Sequence, residues 1–139
     1  MLKLTYILCL VYLLKGLSMD AQSLKIMTYN IRLDIASDGE NNWSHRKDFL
    51  SSQIQFYEPD IFGVQEAKPN QVTDIATALS QYNYLGIGRD GDGKGESSNI
   101  LYNKERFSVK ETNTFWLSET PDIPSKGWDA AFNRVCTYA

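Results

Sequence analysis

Residues 24–31 read LKIMTYNI and residues 59–66 read PDIFGVQE, and these two stretches decide the fold. Each contains a short run of apolar, β-branched and aromatic residues, which is typical of a strand buried on both faces of a sheet. Asn30 closes the first run and Glu66 closes the second. We therefore expect two core strands that each end on a polar side chain.

The segment between these two strands predicts a helix. Apolar and long side chains recur every three or four residues over residues 43–57, and Pro59 ends the pattern. A helix of this length lets the strands lie side by side and parallel, with Asn30 and Glu66 on one edge of the sheet. Ligands bind at that edge in open α/β sheets, so the pair is a candidate site. The alternative interpretation is that Glu66 only caps the helix that follows it.

The rest of the chain continues the alternation of helix and strand. A second helix is predicted with Asn70 as its cap. Strand patterns then follow at residues 82–87, 99–102, 107–116 and 133–138. This order predicts an α/β fold whose sheet contains both parallel and antiparallel pairs. The glycine-rich segment 88–95 partly matches the motifs of dinucleotide-binding, nucleotide-binding and calcium-binding loops, but each match lacks a required feature. We therefore interpret it as a connection between strands.

Composition excludes several classes of protein. The chain has 139 residues, of which 42% are hydrophobic and 12% aromatic, which excludes a disordered tail, a collagen-like fibre and a coiled-coil rod. Its formal net charge is −3, so the chain lacks the overall basic surface of a protein that binds bulk nucleic acid. No pattern around the single histidine, His45, indicates a catalytic triad, and a surface position on the first helix is expected.

The first residues predict a secretory signal. Residues 1–21 combine a basic start, a short apolar run and small residues that offer cleavage points. We therefore expect an exported protein, periplasmic or extracellular, whose mature domain covers residues 22–139 and has no stable membrane anchor. The alternative is an anchor that is never removed. A monomer is expected.

Several segments, taken in order, resemble the endonuclease/exonuclease/phosphatase superfamily, which has the deoxyribonuclease I-like fold. They are TYNIR at 28–32, PDIFGVQE at 59–66, GESSNILY at 95–102, and TFWLS at 114–118 with KGWD at 126–129 and RVCT at 134–137. The last group is similar to a secreted bacterial branch. The resemblance implies a four-layer α/β sandwich with mixed β-sheets, of which this chain is the front part.

The resemblance also implies a reaction and its residues. It implies hydrolysis of a phosphate ester with a divalent cation, usually Mg²⁺, with Mn²⁺ as another option. Glu66 matches the family's metal ligand, and Asn30 matches the polar residue beside the metal and the scissile phosphate. Glu96 matches the carboxylate that orients a catalytic histidine in several members, and Arg134 is expected to contact the anion. The family's further catalytic motifs are not in these 139 residues, so we expect this chain alone to be inactive and a full-length parent to be the enzyme.

The substrate class is open at this point. The partner is a phosphate ester of unknown class, and nucleic acid, phospholipid, sugar phosphate and a protein-linked phosphate are all options. The alternative function is a non-catalytic binding or scaffold protein that keeps the fold, because a fold does not determine a function.

Overall fold

A computed structural model describes residues 23–91 and 93–139. The signal peptide predicted over residues 1–21 lies outside the described residues. The elements, in chain order, are β1 (Ile26–Asn30), a 3₁₀ segment (Ala36–Asn41), α1 (Trp43–Tyr57), β2 (Ile61–Ala67), α2 (Pro69–Ala78), β3 (Tyr82–Leu85), β4 (Ser97–Asn103), β5 (Asn113–Trp116) and β6 (Val135–Tyr138). In this part of the chain no helix has the length and apolar character needed to cross a membrane.

Four strands form one mixed sheet in the order β1-β2-β4-β3. β1 and β2 are parallel, and Asn30 lies opposite Gln65. β4 is antiparallel to both β2 and β3. The expected α/β fold with mixed pairing is confirmed, and so is the parallel pair that α1 connects. β5 and β6 form a separate two-stranded antiparallel sheet, and β6 packs beside β4.

Both helices contribute to a core on one face of the mixed sheet. Its buried apolar side chains include Leu50 and Ile54 from α1, Val72 and Ile75 from α2, and Phe62, Val64 and Leu101 from the sheet. Full burial of such a side chain stabilises the fold by about 1.5–3 kcal/mol. This packing holds β1 and β2 against the helices. It therefore fixes the positions of the carboxyl ends of both strands.

The prediction that β1 is buried on both faces is not met among the described residues. Met27 and Tyr29 pack against the core, whereas Ile26 on the opposite face is 71% exposed. β1 is an edge strand of the sheet, and the face that carries Ile26 is open in the described residues. Apolar composition therefore predicted the strand correctly but not what covers its second face.

Several predicted boundaries also change, and the hydrogen bonds explain two of the changes. The strand expected at 107–116 is reduced to Asn113–Trp116, because the amides of Arg106 and Phe107 bond the carbonyl of Asn103 and turn the chain away from β4. Asn70 lies inside α2 and not at its start. The N-cap position is Lys68, whose backbone N–H donates to the Gln71 side chain.

Replacing Tyr82 with phenylalanine tests the hydrogen bond that joins β3 to the segment between α1 and β2. Its buried hydroxyl donates to the Pro59 carbonyl at 2.7 Å, so the variant should lose about 1 kcal/mol of unfolding free energy at pH 8. Burial, and then the negative charges of Asp60 and Glu58, raise the pKa of Tyr82. The folded state thus holds the phenolic proton more tightly than the unfolded state, and this stabilisation is lost as the pH rises above about 10.

The difference in unfolding free energy between the wild type and Tyr82→Phe should therefore narrow between pH 8 and pH 10.5, measured by urea titration of the full-length protein. Tyr57 is 59% exposed, so Tyr57→Phe is the matched control and should stay within about 0.5 kcal/mol of the wild type at pH 8. A Tyr82→Phe difference that stays constant across this pH range would contradict the argument.

Candidate functional site

A cavity of about 250 Å³ lies at the edge of the sheet where β1 and β2 end. Four separate segments line it: the ends of β1 and β2, the hairpin that leads into β4, and the residues at the start of β6. Asn30, Glu66, Glu96 and Arg134 are all among the lining residues. The structure therefore brings together every site residue expected from the sequence.

Asn30 and Glu66 are in direct contact. Asn30 Nδ2 donates to Glu66 Oε1 at 2.8 Å, and Asn30 Oδ1 accepts from the backbone N–H of Arg32 at 3.0 Å. These two bonds fix the orientation of the amide, because only its nitrogen can donate and only its oxygen can accept. Leu33 N–H donates to Glu66 Oε2 at 3.3 Å. Both carboxylate oxygens of Glu66 are thus held, and each keeps a lone pair for a further partner.

Glu66 reaches the cavity through a β-bulge. Regular alternation would place it on the helix-facing side of β2, with Phe62 and Val64. Instead Glu66 has a φ of +59°, and the register between β2 and β4 shifts between Val64 and Ala67. The bulge re-aims the Glu66 side chain and returns Ala67 to the buried face. It also explains why β2 continues past Glu66, where the sequence predicted its end.

The loop after β1 is held by a buried glutamine. Gln71 on α2 is fully buried, and its Oε1 accepts from the backbone N–H groups of Asp34 and Lys68, both at 3.0 Å. Its Nε2 donates to the carbonyl of Arg32 at 2.9 Å. One side chain therefore ties the chain just beyond Asn30 to the chain just beyond Glu66.

Two arginines hold the same loop from the other side. The Arg46 guanidinium on α1 donates to the carbonyls of Ile31 at 2.7 Å and Arg32 at 3.1 Å. Arg32 has a φ of +59°, and its guanidinium makes two bonds, at 2.7 and 2.8 Å, with the Asp38 carboxylate. This pairing, mainly through its hydrogen bonds, raises the pKa of Arg32 and lowers the pKa of Asp38, so both stay charged.

Glu96 enters the cavity from a tight hairpin between β3 and β4. Gly88 bridges to Ser97, and Arg89 N–H donates to the Glu96 carbonyl at 2.8 Å, so Arg89 and Glu96 lie directly opposite each other. Their side chains form an ion pair, with Arg89 Nη2 at 2.8 Å from Glu96 Oε1. A side chain at position 88 would collide with the backbone of Lys94, which explains the glycine there.

Arg134 is placed by the two-stranded sheet. It immediately precedes β6, and its carbonyl accepts from the N–H of Leu117 at 2.8 Å, which extends the pairing of β5 with β6. Its side chain and that of Arg89 bring two guanidinium groups to a cavity that also holds the carboxylates of Glu66 and Glu96. A cavity lined by both guanidinium and carboxylate groups can bind a cation and an anion side by side.

Sequence reasoning missed three residues that shape the site: Arg89, Gln71 and Arg46. Arg89 could have been found by placing residues 89 and 96 opposite each other across the glycine-rich hairpin. No local signal marks Gln71 or Arg46, because their partners are backbone groups distant in sequence. His45 is exposed on the first turn of α1, as expected, and is not a cavity residue.

The donor set permits a partly hydrated cation. The described residues contain no group of three or more His, Cys, Asp or Glu side chains that could hold a metal ion. Mg²⁺ retains several waters and needs only one or two protein carboxylates besides substrate phosphate. Glu66, with both oxygens oriented and no cationic side chain bonded to it in the described part of the chain, fits such an anchor. Glu96 is engaged by Arg89.

Comparison with known proteins gives consistent matches. Residues 27–135 match the model of the Endonuclease/Exonuclease/phosphatase family. The chain is similar to a solved member of that family from Bacteroides thetaiotaomicron, with 44% identity, a TM-score of 0.80, and coverage of 84% of this chain and 42% of that one. It is also similar to a mannosyl-6-phosphatase of the same organism, with 44% identity, a TM-score of 0.80, and coverage of 83% and 44%.

A curated relative is more distant. An uncharacterized protein of Acanthamoeba polyphaga mimivirus is 30% identical over 101 residues, which are 67% of this chain and 38% of that protein. The chain thus spans less than half the length of each of these proteins.

Gln71→Met tests whether the buried glutamine holds the site loop. The variant keeps the side-chain length but leaves two backbone N–H groups and the Arg32 carbonyl without their partner, so about 2–3 kcal/mol of unfolding free energy should be lost. Urea titration of the full-length protein measures the loss. Gln55→Met, at an exposed position of α1, is the control and should stay within about 0.5 kcal/mol of the wild type. Equal losses of unfolding free energy in Gln71→Met and Gln55→Met would show that the Gln71 side chain does not stabilise the loop after β1.

Proposed function

Because this chain belongs to the endonuclease/exonuclease/phosphatase family, we propose that the protein containing it hydrolyses phosphate esters in the cavity that Glu66 lines. The observation that carries the proposal is the convergence of Asn30, Glu66, Glu96 and Arg134 on that cavity. These residues come from four separate segments, and a purely structural role would not require them to meet.

Glu66 is the proposed anchor of the cation. Its carboxylate would hold Mg²⁺ or Mn²⁺, and the bound ion would offset negative charge on the phosphoryl and leaving oxygens. Asn30 holds one carboxylate oxygen in place through Nδ2, and its Oδ1, which accepts one bond from Arg32 N–H, keeps a second lone pair that can face the ion. Leu33 N–H holds the second carboxylate oxygen in place. The rigid scaffold thus keeps the anchor oriented before substrate arrives.

Arg134 is the proposed contact for the phosphate. A guanidinium presents a planar set of donors that matches phosphate oxygens and carries a charge at every relevant pH. Arg134 is exposed and lines the same cavity as Glu66. A substrate phosphate between the two would meet a positive group on one side and the cation held by Glu66 on the other.

Glu96 is the proposed support of the general base. By resemblance to several family members, its carboxylate orients a histidine that activates the attacking water. The only histidine of this chain, His45, is not a cavity residue. We therefore propose that the base lies elsewhere in the full-length protein. The 139-residue chain alone should turn over substrate about 10²–10⁴-fold more slowly than that protein.

A small phosphate monoester, such as a sugar phosphate, is the proposed substrate class. Support comes from the 44% identity to a mannosyl-6-phosphatase and from the formal net charge of −3, which disfavours long nucleic acids. Turnover of the full-length protein should be compared on mannose 6-phosphate, on an aryl phosphate monoester and on an aryl phosphodiester. Faster turnover of the diester would favour a nuclease or phosphodiesterase instead.

Glu66→Gln tests the cation anchor. The amide keeps the shape of the side chain but loses its charge, so kcat/KM should fall by at least about 100-fold, and saturation should need more Mg²⁺. Turnover of the full-length protein is measured across a Mg²⁺ titration. Glu105→Gln, at an exposed position beyond the opposite end of β4, is the matched control and should behave like the wild type. Unchanged turnover in Glu66→Gln would remove Glu66 from the metal role, whereas a wild-type protein with no turnover on any of these substrates would favour a non-catalytic binding protein.

Arg134→Gln tests the anion contact. Loss of a charge-assisted hydrogen bond costs about 1.5–3 kcal/mol, so KM should rise about 10- to 100-fold with a smaller change in kcat. Steady-state kinetics of the full-length protein give both constants. Lys104→Gln removes one exposed positive charge at the far end of β4 and should leave KM unchanged. An unaltered KM in Arg134→Gln would place the phosphate elsewhere.

A further inference from the structure

We infer that Arg89 is the residue that positions Glu96, and this inference rests on the proposed function of the cavity. The two side chains lie opposite each other on the hairpin and form an ion pair at 2.8 Å, and both line the cavity. Opposite charges facing each other across a hairpin stabilise it and limit the rotamers of both side chains. Arg89 thereby fixes where the Glu96 carboxylate points.

The Arg89 side chain has little freedom of its own. It is only 14% exposed, and its guanidinium lies over the ring of Phe132, with Cζ 5.0 Å from the ring centroid. Its Nε atom is fully buried and has no hydrogen-bond partner among the described residues. A buried, stacked guanidinium held on one side by a carboxylate is a rigid support.

The backbone of Arg89 is equally constrained. Its carbonyl accepts from Trp116 Nε1 at 2.6 Å and from Asn133 Nδ2 at 3.1 Å. Trp116 ends β5, and Asn133 immediately precedes the proposed phosphate contact, Arg134. Arg89 thus connects the hairpin that carries Glu96 to the segment that carries Arg134, and fixes the two halves of the cavity relative to each other.

The two arginines of the cavity consequently differ in role. Arg134 is exposed and available to an anion. Arg89 is only 14% exposed, with Nη2 on Glu96 and a fully buried Nε, so the role inferred for it is exerted mainly through Glu96. Loss of Arg89 should therefore lower the rate of the chemical step and not the affinity for substrate.

Kinetics of the full-length protein separate these two effects. Arg89→Met and Glu96→Gln should each lower kcat about 100-fold, the low end of what a general base contributes, with KM changed by less than about twofold. The double variant should be no slower than Glu96→Gln alone, because both changes disrupt the same ion pair and so the same oriented Glu96 carboxylate. Losses that multiply in the double variant, or a rise in KM like that expected for Arg134→Gln, would overturn the inference.

Two further variants exclude a merely structural effect. Arg89→Lys retains the charge but not the planar group that stacks on Phe132, so it should recover about tenfold in kcat relative to Arg89→Met. Phe132→Leu removes the stacking ring and leaves the ion pair intact, so kcat should fall less than in Arg89→Met, with KM unchanged. No recovery in a folded Arg89→Lys protein would contradict a positioning role.

A spectroscopic measurement tests the contact without turnover. In protein labelled with ¹⁵N-arginine, the Arg89 Nε–H signal, assigned by its loss in Arg89→Met, should exchange slowly with solvent because that atom is buried. Glu96→Gln should shift this signal and speed its exchange, whereas Glu105→Gln should not. An unshifted signal in Glu96→Gln overturns the inference even if no phosphate ester is hydrolysed. A shifted signal in a protein without phosphoesterase activity would instead defeat only the proposed function.

Discussion

The candidate site depends on the parallel pairing of β1 with β2. The helix α1 returns the chain to the start of the sheet, so both strands run in the same direction and end on the same edge. Asn30 therefore comes close enough to hold Glu66, although 35 residues separate them in the chain. A slip of one residue in this pairing would turn Asn30 toward the helices and break the contact. Register, set by the apolar core, is thus a condition for the chemistry.

Buried polar contacts then make that edge rigid. Apolar packing fixes the strands, but the loop after β1 carries backbone groups that would be costly to leave unpaired away from water. Gln71 and Arg46 satisfy those groups from two different helices, one on each side of the loop. Glu66 also adopts a strained backbone conformation, which costs about 1–3 kcal/mol and persists only where surrounding contacts determine it. The strain lies at the residue whose side chain has to reach the cavity.

The sequence was sufficient to predict the framework and the residues that meet in the cavity. Apolar runs and helical periodicity predicted the elements, and the polar residues that close two strands predicted the edge, because these signals are local. Glu96 and Arg134 were expected only from the resemblance to the family. Burial of the second face of β1 could not be predicted, since it depends on what packs there. The bulge at Glu66 has no glycine to mark it, and the segment from Phe107 to Thr112 resembles a strand but pairs with no strand among the described residues. The contact between Arg89 and Glu96 required knowledge of the hairpin register.

The balance of charge in the cavity favours binding of a cation together with an anion. Two carboxylates and two guanidinium groups line it, so neither sign dominates. The pair formed by Arg89 and Glu96 is internally neutralised and largely withdrawn from solvent, whereas Glu66 has no such cationic partner among the described residues and Arg134 is exposed. What remains available is one oriented carboxylate and one accessible guanidinium. A cation bound alone would leave the Arg134 guanidinium without a partner, and an anion bound alone would be repelled by the Glu66 carboxylate. A phosphate bound together with a divalent ion would pair with both groups.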